Sequence, residues 1–386
     1  MRRICLITVY PLGTTIYIPE KCFNGYTIFS YEVGIPAVRI IDMNGNVVNE
    51  LSPVRAARAK LLRNGNILTV SGMAWPTWRK EGDVREYDWN GNMVWRYKPQ
   101  GPAHHDVERL ENGNTLLIYQ EEVPKEYLKK VRDPRRRATI LSDVVLEVTP
   151  EKEIVWEWHG YRHLDLNWYN PLCGIDWMHT NTVRALPENR HYDAGDERFK
   201  PGNIIISPRS LDTILIIDKK TKEVVWKYHG DYKGGLQGQH DPHMIEKGLP
   251  GEGNILVFDN GSSTLPLKSL KHPGESYILE VDSSTKKIVW KYENGEKFFS
   301  KFRGSVQRLP NGNTFICEAD GCRLFEVTRE GEIVWEYTVP YPHRIGRAQR
   351  VPYDYCPQTE ALGEPEEKPV KPPDGILTKP LIPMHI

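Results

Sequence analysis

The chain has 386 residues, 51 of them basic and 51 acidic, and a formal net charge of zero. That balance supplies no basic field for nucleic acid or for an anionic membrane surface. Its six cysteines contain no CxxC pair and no zinc-like spacing, Cys317 and Cys322 read as ordinary small residues, and no run of about 20 apolar residues suggests a membrane span.

The first element is a β-rich run over residues 4–10, preceded by Arg2 and Arg3 and ended by Pro11. It is too short for the apolar core of a signal peptide and has no small-residue cleavage site. The expected compartment is therefore cytoplasmic, although a mature exported form would read the same way.

From there one unit recurs six times. Each unit opens at a tight turn: Asn24-Gly25, Asn64-Gly65-Asn66, Asn112-Gly113-Asn114, Gly202-Asn203, Gly253-Asn254 and Asn311-Gly312-Asn313. Asn-Gly suits the left-handed conformations of two-residue hairpins. Each unit closes on an apolar strand, the first with Val47-Val48-Asn49 and the others with Trp95, Trp156, Trp226, Trp290 and Trp335. Between the turns lie β-branched runs such as residues 115–119 and 213–218, and one further strand precedes each opening turn. Four strands per unit, repeated six times, predict an all-β, six-bladed β-propeller. A tryptophan at one fixed place in each blade is expected to pack between neighbouring sheets.

The first unit lacks a good opening strand, and the C-terminus has a spare one. Residues 347–352 match residues 305–310 position for position, so this late segment is expected to complete the first blade and close the ring. The expected organisation is one propeller over residues 1–356, with blades ending near 49, 95, 156, 226, 290 and 335. An extended Pro-rich tail follows from 357 to 386.

Function should sit where the repeats differ. Three consecutive channel-lining strands begin Ala103-His104-His105-Asp106, Trp177-Met178-His179-Thr180-Asn181 and Gly238-Gln239-His240-Asp241. By register His105, Asn181 and His240 are equivalent, and the matching positions in two other strands are Gly304 and Gly346, which suggests a channel wide on one side. Ser207-Pro208-Arg209-Ser210 can send a cation to the same mouth. Clustered imidazoles suit either a metal or an anionic group. Arg209 discriminates, because a guanidinium repels a metal ion and fits a tetrahedral oxyanion.

The segments DWMHTNTV (residues 176–183), SPRS (207–210), GQHD with FDNG (238–241 and 258–261) and HHDVERLENGNTLL resemble the arylsulfate sulfotransferase family. The resemblance spans roughly residues 20–355. It implies a propeller that moves a sulfuryl group from an aryl sulfate to a phenol, without nucleotide donor or cofactor, by a ping-pong route through a sulfohistidine. Carried over by motif, His240 is the nucleophile and Arg209 the sulfate-binding cation. His179 and His105 are catalytic partners, Asn181 binds substrate, and His104 is an alternative to His105. Trp177, Trp75 or Tyr119 would supply an aryl-stacking surface if core packing does not claim them. The chain departs from the family in having Pro208 before Arg209, a charged insertion over residues 188–201, and no amino-terminal β-domain. The implied partners are a phenolic sulfate donor and a phenol acceptor. The rival readings are a non-catalytic ligand-binding or scaffold propeller and a metal-dependent lyase or hydrolase.

Overall fold

The computed structural model describes residues 12–31, 35–71, 82–171, 173–262, 274–340 and 343–371. The apolar run at residues 4–10, Trp75 and the end of the tail lie outside the described residues.

Hairpin turns and alternating apolar runs build six antiparallel sheets of four strands, the expected six-bladed propeller. Blade one consists of Ile345–Val351, Tyr26–Tyr31, Ala37–Ile41 and Val47–Leu51, in that order from the axis. Its inner strand is therefore the C-terminal one, and the ring closes as expected. Blades two to six follow in chain order, with inner strands Arg58–Leu61, Ala103–Arg109, Thr180–Ala185, His240–Met244 and Ser305–Arg308.

A second closure was not anticipated. Gly13–Tyr17 adds a fifth strand to the outer edge of blade six, and Tyr17 exchanges backbone hydrogen bonds with Val370 at 2.7 and 3.0 Å. The tail does not start extended either: Pro357–Leu362 is a short helix, opened by Pro357 and ended at Gly363 (φ 70°). Among the described residues no helix is long and apolar enough to cross a membrane.

The opening turns of blades two, three and six hold three residues rather than two. Leu110 N donates to Asn114 O (2.8 Å) and Gly113 N to Leu110 O (2.9 Å), with Gly113 at φ 85°. That is a turn followed by a left-handed residue, which glycine adopts without strain.

Stacking the sheets buries core between blades, and the repeated tryptophan latches one blade to the next. Trp95, Trp156, Trp226, Trp290 and Trp335 each donate Nε1–H at 2.8 Å to the outer-hairpin carbonyl of the following blade, at Pro150, Lys219, Ser283, Arg329 and Met43. In blade one Asn49 replaces the tryptophan and makes the equivalent bond through Nδ2 to Trp89 O (2.9 Å). Each such bond is worth about 1 kcal/mol net. The six together tie the ring into one body.

Candidate active site

The site is built by irregularities in the inner strands. In blades one, three, four and five the pairing of the inner strand slips at its start, whereas blades two and six pair without a slip. Such bulges re-aim side chains. His105, His179 and Asp241 carry positive φ values of 62°, 48° and 54°. Side chains other than glycine hold such angles at a cost of about 1–3 kcal/mol each, and these residues cluster where function needs a fixed direction.

The result is a group of imidazoles and guanidiniums at one end of the channel. The rings of His105 and His179 meet near edge-to-face at 4.7 Å. Arg209 opens a tight turn after the strand Ile204–Pro208, and its backbone N–H donates to His179 O at 3.3 Å. A Cβ added at Gly238 would stand 3.6 Å from Arg209 Nη2, which places the guanidinium against the segment that carries His240. His105, Arg209 and His240 are buried, and His179 is partly exposed toward the mouth.

The hydrogen bonds decide the proton positions. His240 Nδ1 lies 2.9 Å from Gly238 O and 2.7 Å from Asn260 Oδ1. The Asn260 amide nitrogen donates to Ser300 O and Arg303 O, both at 2.8 Å, so its oxygen must be the atom that faces the imidazole. Two acceptors on Nδ1 put the proton there and leave Nε2 with a bare lone pair. Burial, followed by the charges of Arg209 and Arg347, holds the His240 pKa well below 6.5. His240 is thus a neutral imidazole, oriented and unprotonated at Nε2. His179 Nδ1 is 2.6 Å from Asp176 Oδ2, and Asp176 Oδ1 accepts from Gln120 Nε2 at 2.8 Å. This carboxylate orients His179 as in an acid–base dyad. His105 also has a pKa well below 6.5, mainly from burial and then from the neighbouring imidazoles of His179, His104 and His240 and the Arg347 guanidinium.

Arg209 is in an unusual state for a buried cation. Among the described residues it makes no ion pair, and its Nη2 has no hydrogen-bond partner. The ring of Phe302 lies 5.4 Å from its guanidinium carbon. Burying an uncompensated guanidinium costs several kcal/mol unless an anion arrives to pair with it.

Below the histidines a charged ring plugs the channel. The residues one step along each inner strand are Arg58, Asp106, Thr182, Asp241, Ser305 and Arg347, all buried. Asp241 Oδ1 meets Arg58 at 2.6 Å, Arg184 at 2.8 Å and Arg347 at 3.3 Å. Asp106 meets Arg58 at 3.3 Å and Arg347 at 3.4 Å. Arg347 also donates to Asn181 O. Arg58, Arg184 and Arg347 thus share Asp106 and Asp241 in the floor, and Glu108 adds a third carboxylate beside Arg184.

The remaining sequence expectations fall as follows. Asn181 is fully buried, and its Nδ2 donates to Gln239 O at 2.7 Å, holding the strand just before His240. His104 turns away from the mouth, with its ring against Asp143. Trp177 and Tyr119 belong to the core, and Trp177 Nε1 donates to Trp168 O at 2.7 Å. The half-buried aromatic beside Arg209 is Phe302 instead. Gly304 does not widen the channel, because a Cβ there would stand 2.9 Å from the Phe258 ring, which fills the space. Sequence reasoning passed over Asp176, Asn260, Asp241 and Arg347, although the first three lie inside the quoted motifs. Arg347 lies in the closing strand, valued there only for its register. Among the described residues no group of three or more His, Cys, Asp or Glu side chains is arranged to hold a metal ion. Cys22, Cys322 and Cys356 are free thiols.

Comparison with known proteins bears on this geometry. The profile of the arylsulfotransferase (ASST) family matches residues 59–339. No relative among the curated proteins matches the chain. A protein of unknown function from Bacteroides caccae is similar in structure, with TM-score 0.54 and 14% identity over 84% of this chain and 98% of that one. Virginiamycin B lyase from Staphylococcus aureus has TM-score 0.38 and 12% identity over 74% of this chain and 70% of its own. At such identities these likenesses concern the fold alone.

Proposed function

The chain belongs to the arylsulfotransferase family, and on that premise we propose that it moves a sulfuryl group from an aryl sulfate to a phenolic acceptor by a ping-pong route through a sulfohistidine at His240. The observation that carries this reading is the Arg209 guanidinium, whose Nη2 is unpaired among the described residues, placed with the bare Nε2 of His240 at one mouth. A sulfate ester is a tetrahedral anion. It would supply the charge that Arg209 lacks and present its sulfur to the lone pair.

In the first half-reaction His240 Nε2 attacks sulfur, and the bond to the aryl oxygen breaks with its electron pair on that oxygen. In the second, an acceptor phenol takes the sulfuryl group back from nitrogen. Dividing one displacement into two avoids a direct encounter of two weak nucleophiles. Arg209 stabilises the equatorial oxygens, and the positive charge of Arg347 near His240 supports it. Asp176 holds His179 in one orientation, from which the imidazole can hydrogen-bond a sulfuryl oxygen. Phe302, stacked near Arg209, offers a face to an aryl ring.

The metal-dependent reading fits less well, because Arg209 and Arg347 would repel a divalent cation from the same imidazoles. His240→Ala should abolish transfer from 4-nitrophenyl sulfate to phenol, and intact mass should show a sulfuryl adduct in the wild type that this variant lacks. Full transfer in the variant would overturn the assignment. Turnover that a chelator abolishes would favour the metal-dependent alternative. Binding of aryl sulfates without turnover would favour a non-catalytic propeller.

A further inference from the structure

Behind His105 lies a second imidazole that the transfer chemistry above leaves unused. His104 Nδ1 stands 2.7 Å from His105 Nδ1, with the rings nearly perpendicular. Two ring nitrogens at that distance share one proton, so one donates and the other accepts. The other nitrogen of His104, Nε2, is 3.3 Å from Asp143 Oδ1, within ion-pair reach although the two atoms make no hydrogen bond to each other. Asp143 is anchored in turn, because its Oδ2 accepts from Thr180 N at 2.5 Å. His104 and Asp143 are each 1% exposed, and His105 is 7% exposed. The chain Asp143–His104–His105 thus runs from the interior of blade three to the mouth.

This chain has two proton arrangements that differ by one proton. In the first, His104 is an imidazolium paired with the Asp143 carboxylate. It donates Nδ1–H to His105, whose own proton sits on Nε2. In the second, His104 is neutral and keeps only its Nε2 proton. His105 then donates Nδ1–H to His104 and leaves its Nε2 bare. His105 is uncharged in both.

We propose that Asp143, His104 and His105 form a proton relay that serves the aryl oxygens, with His104 and Asp143 as positioning residues for His105. The relay rests on the sulfuryl-transfer reading and completes its proton balance. When the sulfur–oxygen bond breaks, His105 Nε2–H passes to the departing aryl oxygen and His104 Nδ1–H passes to His105. The products are a free phenol, the sulfohistidine and the second arrangement. The acceptor phenol then gives its proton to His105 Nε2, and His105 returns its Nδ1 proton to His104. The acceptor oxygen bonds to sulfur, and the sulfur–nitrogen electron pair goes back to His240 Nε2. The first arrangement is restored and no proton is lost.

The site has a physical reason to use a relay. A cation on His105 would face His179, His104, His240 and Arg347, and it is strongly disfavoured there. The relay moves that charge to His104, where a carboxylate waits. The geometry alone defines the path, and the electrostatics explain its direction.

Leaving-group dependence tests it. 4-Nitrophenolate departs readily as the anion, whereas phenolate, derived from an acid of pKa about 10, needs a proton. The donor half-reaction is followed with phenyl sulfate and with 4-nitrophenyl sulfate in Asp143→Asn and His104→Phe. The expected result is a loss about 100-fold greater with phenyl sulfate than with 4-nitrophenyl sulfate, the scale of general acid catalysis. Equal losses with both donors, or no loss with either, would overturn the relay. Two variants of different shape guard against misfolding in one of them. Absence of a sulfuryl adduct on His240 in the wild type would instead overturn the underlying transfer reading.

Discussion

Asn260 Oδ1 stands 2.7 Å from His240 Nδ1, while the Asn260 amide nitrogen donates to the carbonyls of Ser300 and Arg303 at 2.8 Å each. The amide cannot turn over without placing its oxygen against two carbonyl oxygens. One side chain therefore decides which nitrogen of the proposed nucleophile is bare, and it does so from blade five with contacts just before the inner strand of blade six.

Replacing Asn260 tests this directly. His240 has a pKa held well below 6.5, so its neutral form persists below the pH at which a free imidazole becomes charged. Asn260→Asp would set a carboxylate against Nδ1–H, favour the imidazolium and raise that pKa by about 1–3 units. The acid limb of kcat/KM for the sulfate donor should move to higher pH by at least about one unit. Asn260→Leu should lower kcat without that shift. A pH–rate profile of each variant is the measurement.

Arg209→Met should lower kcat/KM for aryl sulfates by about 100- to 1,000-fold, the usual cost of losing one preorganised donor to a developing anion. It should leave the melting temperature unchanged or raise it, because a buried guanidinium without an ion pair is removed. Added sulfate should stabilise the wild type by mass action and leave the variant unmoved. Thermal melts with and without sulfate distinguish these outcomes.

Asp241→Asn should destabilise the fold by about 3–5 kcal/mol, since Arg58, Arg184 and Arg347 all pair with this one carboxylate in the channel floor. The urea midpoint reads the effect. Arg58→Met should cost less, because Arg184 and Arg347 would still compensate Asp241.

Phe302 lies beside Arg209 with its ring 5.4 Å from the guanidinium carbon. Phe302→Ala should raise KM for phenolic acceptors up to about tenfold, the range expected of one aromatic contact. KM for an alkyl sulfate donor should change by less than about twofold. Steady-state comparison of the two substrate classes checks the role.

The blades could be read from the sequence because their signals are local. Turn glycines, β-branched alternation and a tryptophan at a constant offset repeat within spans of a few dozen residues, and Trp335 closes on Met43 just as Trp95 closes on Pro150. His105, His179, Arg209 and His240 could be named from register and motif, and the structure brings them to one mouth. Their partners were harder to find. Asp176 and Asn260 stood in plain view but carried no sign of which atom they would face. Trp177 looked like a ring for substrate and proved to be core, because its environment depends on Trp168 and blade four rather than on its neighbours in sequence.

By itself the sequence determined the number of blades, the strand that closes the ring and the residue types at the mouth. Only the tertiary structure decided their directions and proton positions. It added the outer strand Gly13–Tyr17 on blade six, the positive φ angles that turn His105 and His179, and the floor where Arg347 meets Asp106 and Asp241. The reason is physical. Hairpins form between chain neighbours and leave a local pattern. The site forms between inner strands of different blades, which approach one another only when the ring shuts, and no local pattern records that meeting.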